Sequence, residues 1–334
     1  MSSLSYLFGP VTSRRYCQSL GVDLAPMKTC TFSCRFCQLG PTPSAGLATV
    51  RGDRPPIADV LAELRGYFKR NSDSTNPLPH GREDSSRRSV NGASDQSEFR
   101  LPDFVTASGS GEPTLHLHFG EVARFVHGET AAKALLLSNG SLFTLPEVRA
   151  AAALYDVVKV SLSAWDQASF EALMRPAPGL AFDRIVDGYR AFRQEFRGRL
   201  DCEVFLVPGF NDAPAACGRI AALVERFAPD TVSLNTAVRP GADGTVRPLA
   251  AAALESLRGI FGARAKPAGA EPPLARVAPI AAAVAALVER HPVSVPVLCR
   301  STGLDAAALR RLLAGAPVRF FDAGGVEFVG NTPR

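Results

Sequence analysis

The sequence predicts an α/β fold on a parallel sheet, because short apolar, β-branched runs alternate with longer amphipathic stretches along most of the chain. The 334 residues are 46% hydrophobic, enough for one large domain, or one large and one small, with packed cores. A Gly-, Pro- and Ala-rich break at 262–275 reads as a linker, dividing a core unit (1–261) from a smaller one (276–334).

The expected strands, in order, are residues 20–24, 104–107, 134–137, 157–162, 202–207 and 231–234. The amphipathic stretches are 57–68, 119–127, 145–154, 182–196 and 214–227. Pro214 suits a first helical turn, where its missing N–H costs nothing. About six strand–helix units suit an open barrel or a doubly wound sheet, and periodicity does not choose between them. One polar insertion, 71–100, offers almost nothing to bury, so a disordered loop is expected. Beyond the linker, a helix (279–291), two short helices around Gly303 (296–301 and 305–314) and a hairpin turning at Ala323–Gly325 make a winged-helix pattern.

The N-terminal stretch lacks the apolar run of a signal peptide. The Ala-rich run 280–288 is too short to span a bilayer and ends in Glu289 and Arg290, so a soluble cytoplasmic protein with no membrane partner is expected. The formal charge of +5 permits an anionic partner without requiring one. From residue 278 onward, six basic residues face four acidic ones, a thin footprint for nucleic acid. Recognition of a substrate or protein partner is the favoured role for that unit.

Seven cysteines, an odd number, argue against a disulfide framework. Three crowd into Cys30-Thr-Phe-Ser-Cys34-Arg-Phe-Cys37, just after the first expected strand. A structural zinc site wants four ligands, and no His lies nearby to complete the set. A redox Cys-x-x-Cys pair would leave Cys30 unexplained. Three cysteines suit a 4Fe–4S cubane with three irons anchored and one open. An open iron can chelate the amino and carboxylate groups of S-adenosylmethionine (SAM). Cys202, Cys217 and Cys299 sit in apolar surroundings and read as inert buried thiols.

This spacing, with Phe36 before the last Cys, resembles the radical SAM superfamily motif. Ser108-Gly-Ser-Gly-Glu-Pro-Thr114 resembles that superfamily's "GGE" segment, which implies that Ser110, Gly111 and Glu112 contact SAM, Glu112 facing its ammonium. Ser138-Asn139-Gly140 is similar to the Thr-Asn-Gly of relatives, which adds Asn139. In residues 157–163, alternation puts Lys159, Ser161 and Ser163 on one face, where the two serines suit the ribose or carboxylate of SAM. Lys159 needs either an interior acid or a carboxylate ligand. Arg175, Asn211, Asp212, Asn235, Thr236 and Arg239 follow later strands, at the end where ligands gather. Arg14 and Arg15 suit an anionic substrate or the solvent equally.

The segments 8–15, 19–23, 30–40, 109–114, 207–212 and 235–240 resemble an uncharacterised group of radical SAM proteins described as Fe–S oxidoreductases. The resemblance implies a partial (β/α)6 TIM-type barrel of the radical SAM type with a small C-terminal winged-helix-like domain. It also implies an enzyme: a 4Fe–4S cluster on Cys30, Cys34 and Cys37, reduced by ferredoxin or flavodoxin, cleaves SAM to a 5′-deoxyadenosyl radical that takes hydrogen from an unknown substrate. The group is similar to the enzymes that build the wyosine base of tRNA, which carry a second cluster on cysteines upstream of the triad. Here only Cys17 lies upstream. Wyosine-type tRNA base modification is the alternative within enzymes, and a cluster-bearing DNA-binding regulator the alternative outside them.

Overall fold

A computed structural model describes residues 6–13, 16–72, 101–266, 284–285, 288, 292–323 and 325–330. Most of the expected insertion, Arg14 and Arg15, residues 267–275 of the expected linker and most of the helix expected at 279–291 lie outside these residues.

The chain is mixed α/β. Eight strands make one sheet in sequential order: β1 (Leu7–Ser13), β2 (Cys17–Asp23), β3 (Phe104–Ser108), β4 (Lys133–Leu137), β5 (Val157–Ser161), β6 (Arg199–Phe205), β7 (Thr231–Asn235) and β8 (Ala265–Lys266). β1 is antiparallel to β2, and every pairing from β2 to β8 is parallel. The order never reverses, so the sheet lacks the switch point of a doubly wound fold. Helices α1 (Ile57–Ser72), α2 (Gly120–Glu129), α3 (Pro146–Ala152), α4 (Gln167–Met174), α5 (Phe182–Glu195), α6 (Pro214–Glu225) and α7 (Ala251–Arg258) fill the connections.

Alternation gives the sheet two faces. Val105, Ala107, Leu136, Val158, Val160, Val204 and Val232 point outward into the main core, where they meet Phe119, Val122, Ile185, Val186 and Ile220 of the flanking helices and loops. The other face carries Thr106, Leu135, Leu137, Lys159, Ser161, Asp201, Glu203, Phe205, Ser233 and Asn235, aligned by the strand register. Tyr16, in the β1–β2 turn, shows how far this face curls. Its ring packs edge-on against Phe104 of β3 at 5.7 Å and touches Leu135 and Val157, while its hydroxyl donates to Asp201 Oδ2 of β6 at 2.8 Å. One side chain spanning β3 to β6 requires a strongly curved sheet and closes its lower end.

The six expected strands are all present, within three residues at either end. β1 and β8 were not expected. Pro10 interrupts the first, and β8 is only two residues long, inside the stretch read as linker, so the sheet continues past residue 261. Helices α4 and α7 span about two turns each, too few to declare a period.

From β9 (Val293–Ser294) onward a second core forms. Two helices, Val295–Thr302 and Ala306–Leu312, are followed by β10 (Arg319–Ala323) and β11 (Val326–Gly330), in a three-stranded sheet ordered β10-β11-β9. Gly303 ends the first helix in the left-handed region, and Asp305 caps the second through the Ala308 N–H. Val293, Val297, Leu298, Leu309, Leu313 and Val329 make a cluster distinct from the sheet core. Among the described residues no helix is long and apolar enough to cross a membrane.

Candidate functional site

The segment from Met27 to Gly40 has almost no regular structure, so its position comes from what it is tied to. Its start is held by the loop after β3: the Lys28 N–H donates to the Ser110 carbonyl (2.8 Å), and the Glu112 N–H to the Thr29 carbonyl (3.0 Å). The middle is held after β4, where the Thr31 and Ser141 hydroxyls share a 2.8 Å hydrogen bond. Its far side pairs with the end of α4, with Ser33 and Arg35 N–H groups donating to Met174 and Leu173 carbonyls. Phe36 stacks on Phe205 at the end of β6, with centroids 4.1 Å apart. Asp243, in the loop after β7, accepts from Arg35 Nη1 at 2.5 Å and Arg175 Nη2 at 3.2 Å, and its own N–H donates to the Arg35 carbonyl. The loop thus caps the C-terminal ends of β3, β4, β6 and β7.

Cys30, Cys34 and Cys37 are all partly buried and all free. Burial pushes the Cys30 thiol up to about 12, with Glu112 adding to the effect. Burial first, then the nearby Cys37 and Cys30, raises Cys34 well above its usual range. The three sulfurs therefore share one electrostatic neighbourhood. Hydrogen-bond donors face one of them: the Phe32 N–H lies 3.5 Å and Asn139 Nδ2 3.6 Å from Cys30 Sγ. Lys28, half-buried, reaches the Gly40 carbonyl and feels both Cys37 and Cys30, while burial lowers its own pKa. Three soft thiols beside a lysine, with amide donors aimed at one sulfur, are a donor set that fits an iron–sulfur cluster. Among the described residues no three His, Cys, Asp or Glu side chains close to the spacing of a single-ion site. Thiols that each hold a different metal atom need no such spacing.

The residues after β3 and β4 form the floor of the cysteine loop. A Cβ on Gly111 would lie 1.8 Å from the Thr29 carbonyl oxygen, so only glycine lets the loop dock. The Ser110 hydroxyl is taken up by Asp23 Oδ2 at 2.5 Å. Glu112 is 2% exposed, and its carboxylate accepts from the Thr114 N–H and hydroxyl, the Ser138 hydroxyl and the Asn139 N–H. Burial raises its pKa, and these bonds oppose the rise. Asn139 also donates from Nδ2 to Thr31 Oγ1 at 2.7 Å. Both carboxylate oxygens of Glu112 are thus spent on crosslinking β3 to β4.

On β5, Ser161 is half-buried on the inner face, while Ser163 is buried and its hydroxyl accepts the Phe205 N–H at 2.8 Å. Lys159 has its interior acid: Nζ lies 3.1 Å from Glu203 Oε2, and each side chain is 15% exposed. Asn211 is buried, bonded to the Ser163 and Phe205 carbonyls, and Asp212 caps the Gly209 N–H. The Asn235 amide approaches Glu203 at 3.4 Å, and Arg239 reaches Gln38 of the cysteine loop at 3.3 Å. Thr236 bonds the Leu206 carbonyl. An open cleft of about 610 Å³ lies on the α4 side of the loop, lined by Ser33, Leu47, Glu171, Arg175 and Pro178 rather than by the inner sheet face. Cys202 and Cys217 are buried, and burial raises both.

Sequence reasoning missed Lys28, Arg35, Glu203 and Asp243. The Asp-x-Thr pattern at 243–245 was a usable signal: Thr245 donates to Asp243 from its N–H and its hydroxyl, which together with Arg35 hold the carboxyl down at about 2.

The arrangement defines a class: an α/β protein with a three-cysteine loop docked over the strand ends of its sheet. The chain belongs to the UPF0026 family. It is 32% identical to the UPF0026 protein of Helicobacter pylori (strain J99) over 244 residues, covering 71% of this chain and 68% of that one. It is also 30% identical over 233 residues to a GTPase Obg of Brachyspira hyodysenteriae, where the match takes in 70% of this chain but only 30% of the relative's length. No family model matches the chain. Among solved structures it resembles a radical SAM methyltransferase from Sphaerobacter thermophilus, with 17% identity, a TM-score of 0.48 and coverage of 74% of this chain and 65% of that one.

Proposed function

We propose that this protein is a radical SAM enzyme whose fold is the partial (β/α)6 barrel of that superfamily. Cys30, Cys34 and Cys37 would hold a 4Fe–4S cluster, and SAM would bind beside it over the ends of β3 to β6. The observation that carries this reading is the Cys-x-x-x-Cys-x-x-Cys loop, whose three thiols are free and partly buried and which docks over the strand ends. What the cluster and SAM supply when bound is one-electron cleavage of the sulfonium C–S bond, to methionine and a 5′-deoxyadenosyl radical able to take hydrogen from a substrate.

The residues of this chain orient and shield. Glu112 and Asn139 brace the loop floor; the Ser110 N–H and carbonyl and the Glu112 N–H are bonded within it, so in this segment the Gly111 backbone is the group we assign to SAM. Ser161 is available to a ribose hydroxyl, whereas Ser163 is already bonded within the sheet. Phe36 on Phe205 excludes water beside the cysteines. The reductant would be a ferredoxin or flavodoxin.

The C-terminal unit we assign to substrate or partner recognition, with a winged-helix-like arrangement. Arg310, one of the two basic residues on its second helix, is held by Glu327 and lies over the Phe320 ring, which favours packing over phosphate contact.

Anaerobic reconstitution with iron and sulfide tests the reading. Wild type should gain about four irons per chain, an EPR signal that changes on adding SAM, and 5′-deoxyadenosine under reduction. Replacing all three cysteines by Ala should abolish each of these. A triple variant that keeps a SAM-responsive cluster would refute the assignment.

A further inference from the structure

On the inner face of the sheet, a charged pair that the cysteine loop does not use joins two strands. Lys159 of β5 and Glu203 of β6 lie side by side, their charged atoms 3.1 Å apart. The register puts Glu203 beside Ser161 and Ser233, two residues before Phe205, the ring on which Phe36 of the cysteine loop rests. At about 3.3 Å per residue, the pair sits roughly 7 Å below that layer. Beneath it Asp201, 2% exposed, is taken up by Tyr16, Arg199 and Thr231, and Leu135, Val157 and the Tyr16 ring close the lower end. A ligand entering past the cysteine loop therefore meets Lys159 and Glu203, each 15% exposed, before the buried and already bonded Asp201.

The pair restricts what that ligand carries. A lone carboxylate drawn to Lys159 Nζ would bring its charge against Glu203, and a lone ammonium drawn to Glu203 would meet Lys159. A group with both charges on adjacent atoms opposes each with its complement and exchanges one ion pair for two. The Asn235 amide, 3.4 Å from Glu203 Oε2, adds a neutral donor at the same place.

We infer that Lys159 and Glu203 anchor the substrate through a zwitterionic α-amino acid group, its carboxylate on Lys159 and its ammonium on Glu203. This deepens the radical SAM reading and rests on it for the identity of the second ligand. The depth adds a consequence: the carbon exposed to chemistry lies a few bonds from the amino acid end, because only about 7 Å separates the pair from the cysteine-loop layer.

The test uses full-length reconstituted protein saturated with SAM, which occupies any amino acid site at the cluster. L-2-aminobutyrate, butyrate and propylamine are titrated by saturation-transfer NMR. L-2-aminobutyrate should bind at least tenfold more tightly than either monofunctional probe. Lys159→Met and Glu203→Gln should each erase that preference, and SAM affinity should change less than twofold. Because a single change strands a charge and could impair folding, the double variant Lys159→Met/Glu203→Leu is measured too. It should keep the thermal midpoint and lose the preference. Equal binding of the three probes, or a preference that survives the double variant, would overturn the inference. So would a tenfold loss of SAM affinity in Lys159→Met, because the pair would then belong to SAM. If wild type binds no SAM yet shows the Lys159-dependent preference in cluster-free protein, the radical reading fails and the amino acid site stands.

Discussion

Replacing Gly111 by Ala tests whether the cysteine loop is seated by backbone contact. The added methyl would lie 1.8 Å from the Thr29 carbonyl oxygen and 2.9 Å from the Ala25 Cβ, against the 3.0 Å below which real Cβ contacts essentially never fall. The obstacle is backbone, so no rotamer relieves it, and Thr29 must retreat by more than 1 Å. That retreat breaks the hydrogen bond from the Glu112 N–H to Thr29, 3.0 Å long, and drags Cys30, the next residue. Overpacking costs about 1–3 kcal/mol and a lost hydrogen bond about 0.5–1.5 kcal/mol, so destabilisation on the order of 2–4 kcal/mol is expected. At roughly 2–4 °C per kcal/mol for a chain of this size, the melting midpoint should fall by about 5–15 °C. Circular dichroism reads the midpoint, and iron analysis after reconstitution should show a reduced load. Gly218→Ala is the control: nothing lies within 4 Å of its Cβ position in α6, and it should gain up to about 1 kcal/mol from helix propensity. A Gly111→Ala protein with an unchanged midpoint and full iron would refute the docking argument.

Asp243→Asn should loosen the clasp on Arg35 and Arg175 and speed iodoacetamide labelling of Cys34 and Cys37 severalfold in metal-free protein; unchanged labelling would mean that the clasp does not hold the loop. The Asp243 carboxyl is depressed from 3.8 to about 2, so its contribution is full above the unfolded value and is lost as pH falls from about 4 towards 2; the wild-type thermal midpoint should lose its margin over the Asn variant in that window, and a margin unchanged at pH 2 would refute the clasp. Glu112→Gln places an amide N–H₂ where Ser138, Thr114 and Asn139 all donate, so a cost on the order of 1–3 kcal/mol is expected in urea denaturation. Asn139→Ala removes the donor facing Cys30 Sγ and should lower the midpoint potential of the reconstituted cluster in an EPR-monitored titration; an unchanged potential would mean that the 3.6 Å approach carries no hydrogen bond to the bound sulfur.

Much of the framework is local and was legible in the sequence. Each of the six strands with a clear apolar run appears, because period-2 alternation records which face a strand buries, and Val158 and Val160 do point into the core opposite Lys159. The cysteine spacing marked the loop because its three thiols lie within eight residues of one another. Three-dimensional neighbours left no such record. That the sheet curls, with order β1 to β8, depends on contacts such as Tyr16 to Asp201, 185 residues apart, which no local pattern encodes. The same limit hid Asp243 from Arg35 and Glu203 from Lys159, since an ion pair across strands shows in the sequence only as two separate charges. It also altered the meaning of residues that the sequence singled out. Gly111 and Glu112 stood out as groups for a ligand, yet the Gly111 Cα faces the Thr29 carbonyl and the Glu112 carboxylate is consumed by Ser138, Thr114 and Asn139. The sequence determined which polar side chains are on offer; the fold decided which already spend themselves on one another, because hydrogen-bond capacity is finite and is allotted only when distant segments meet.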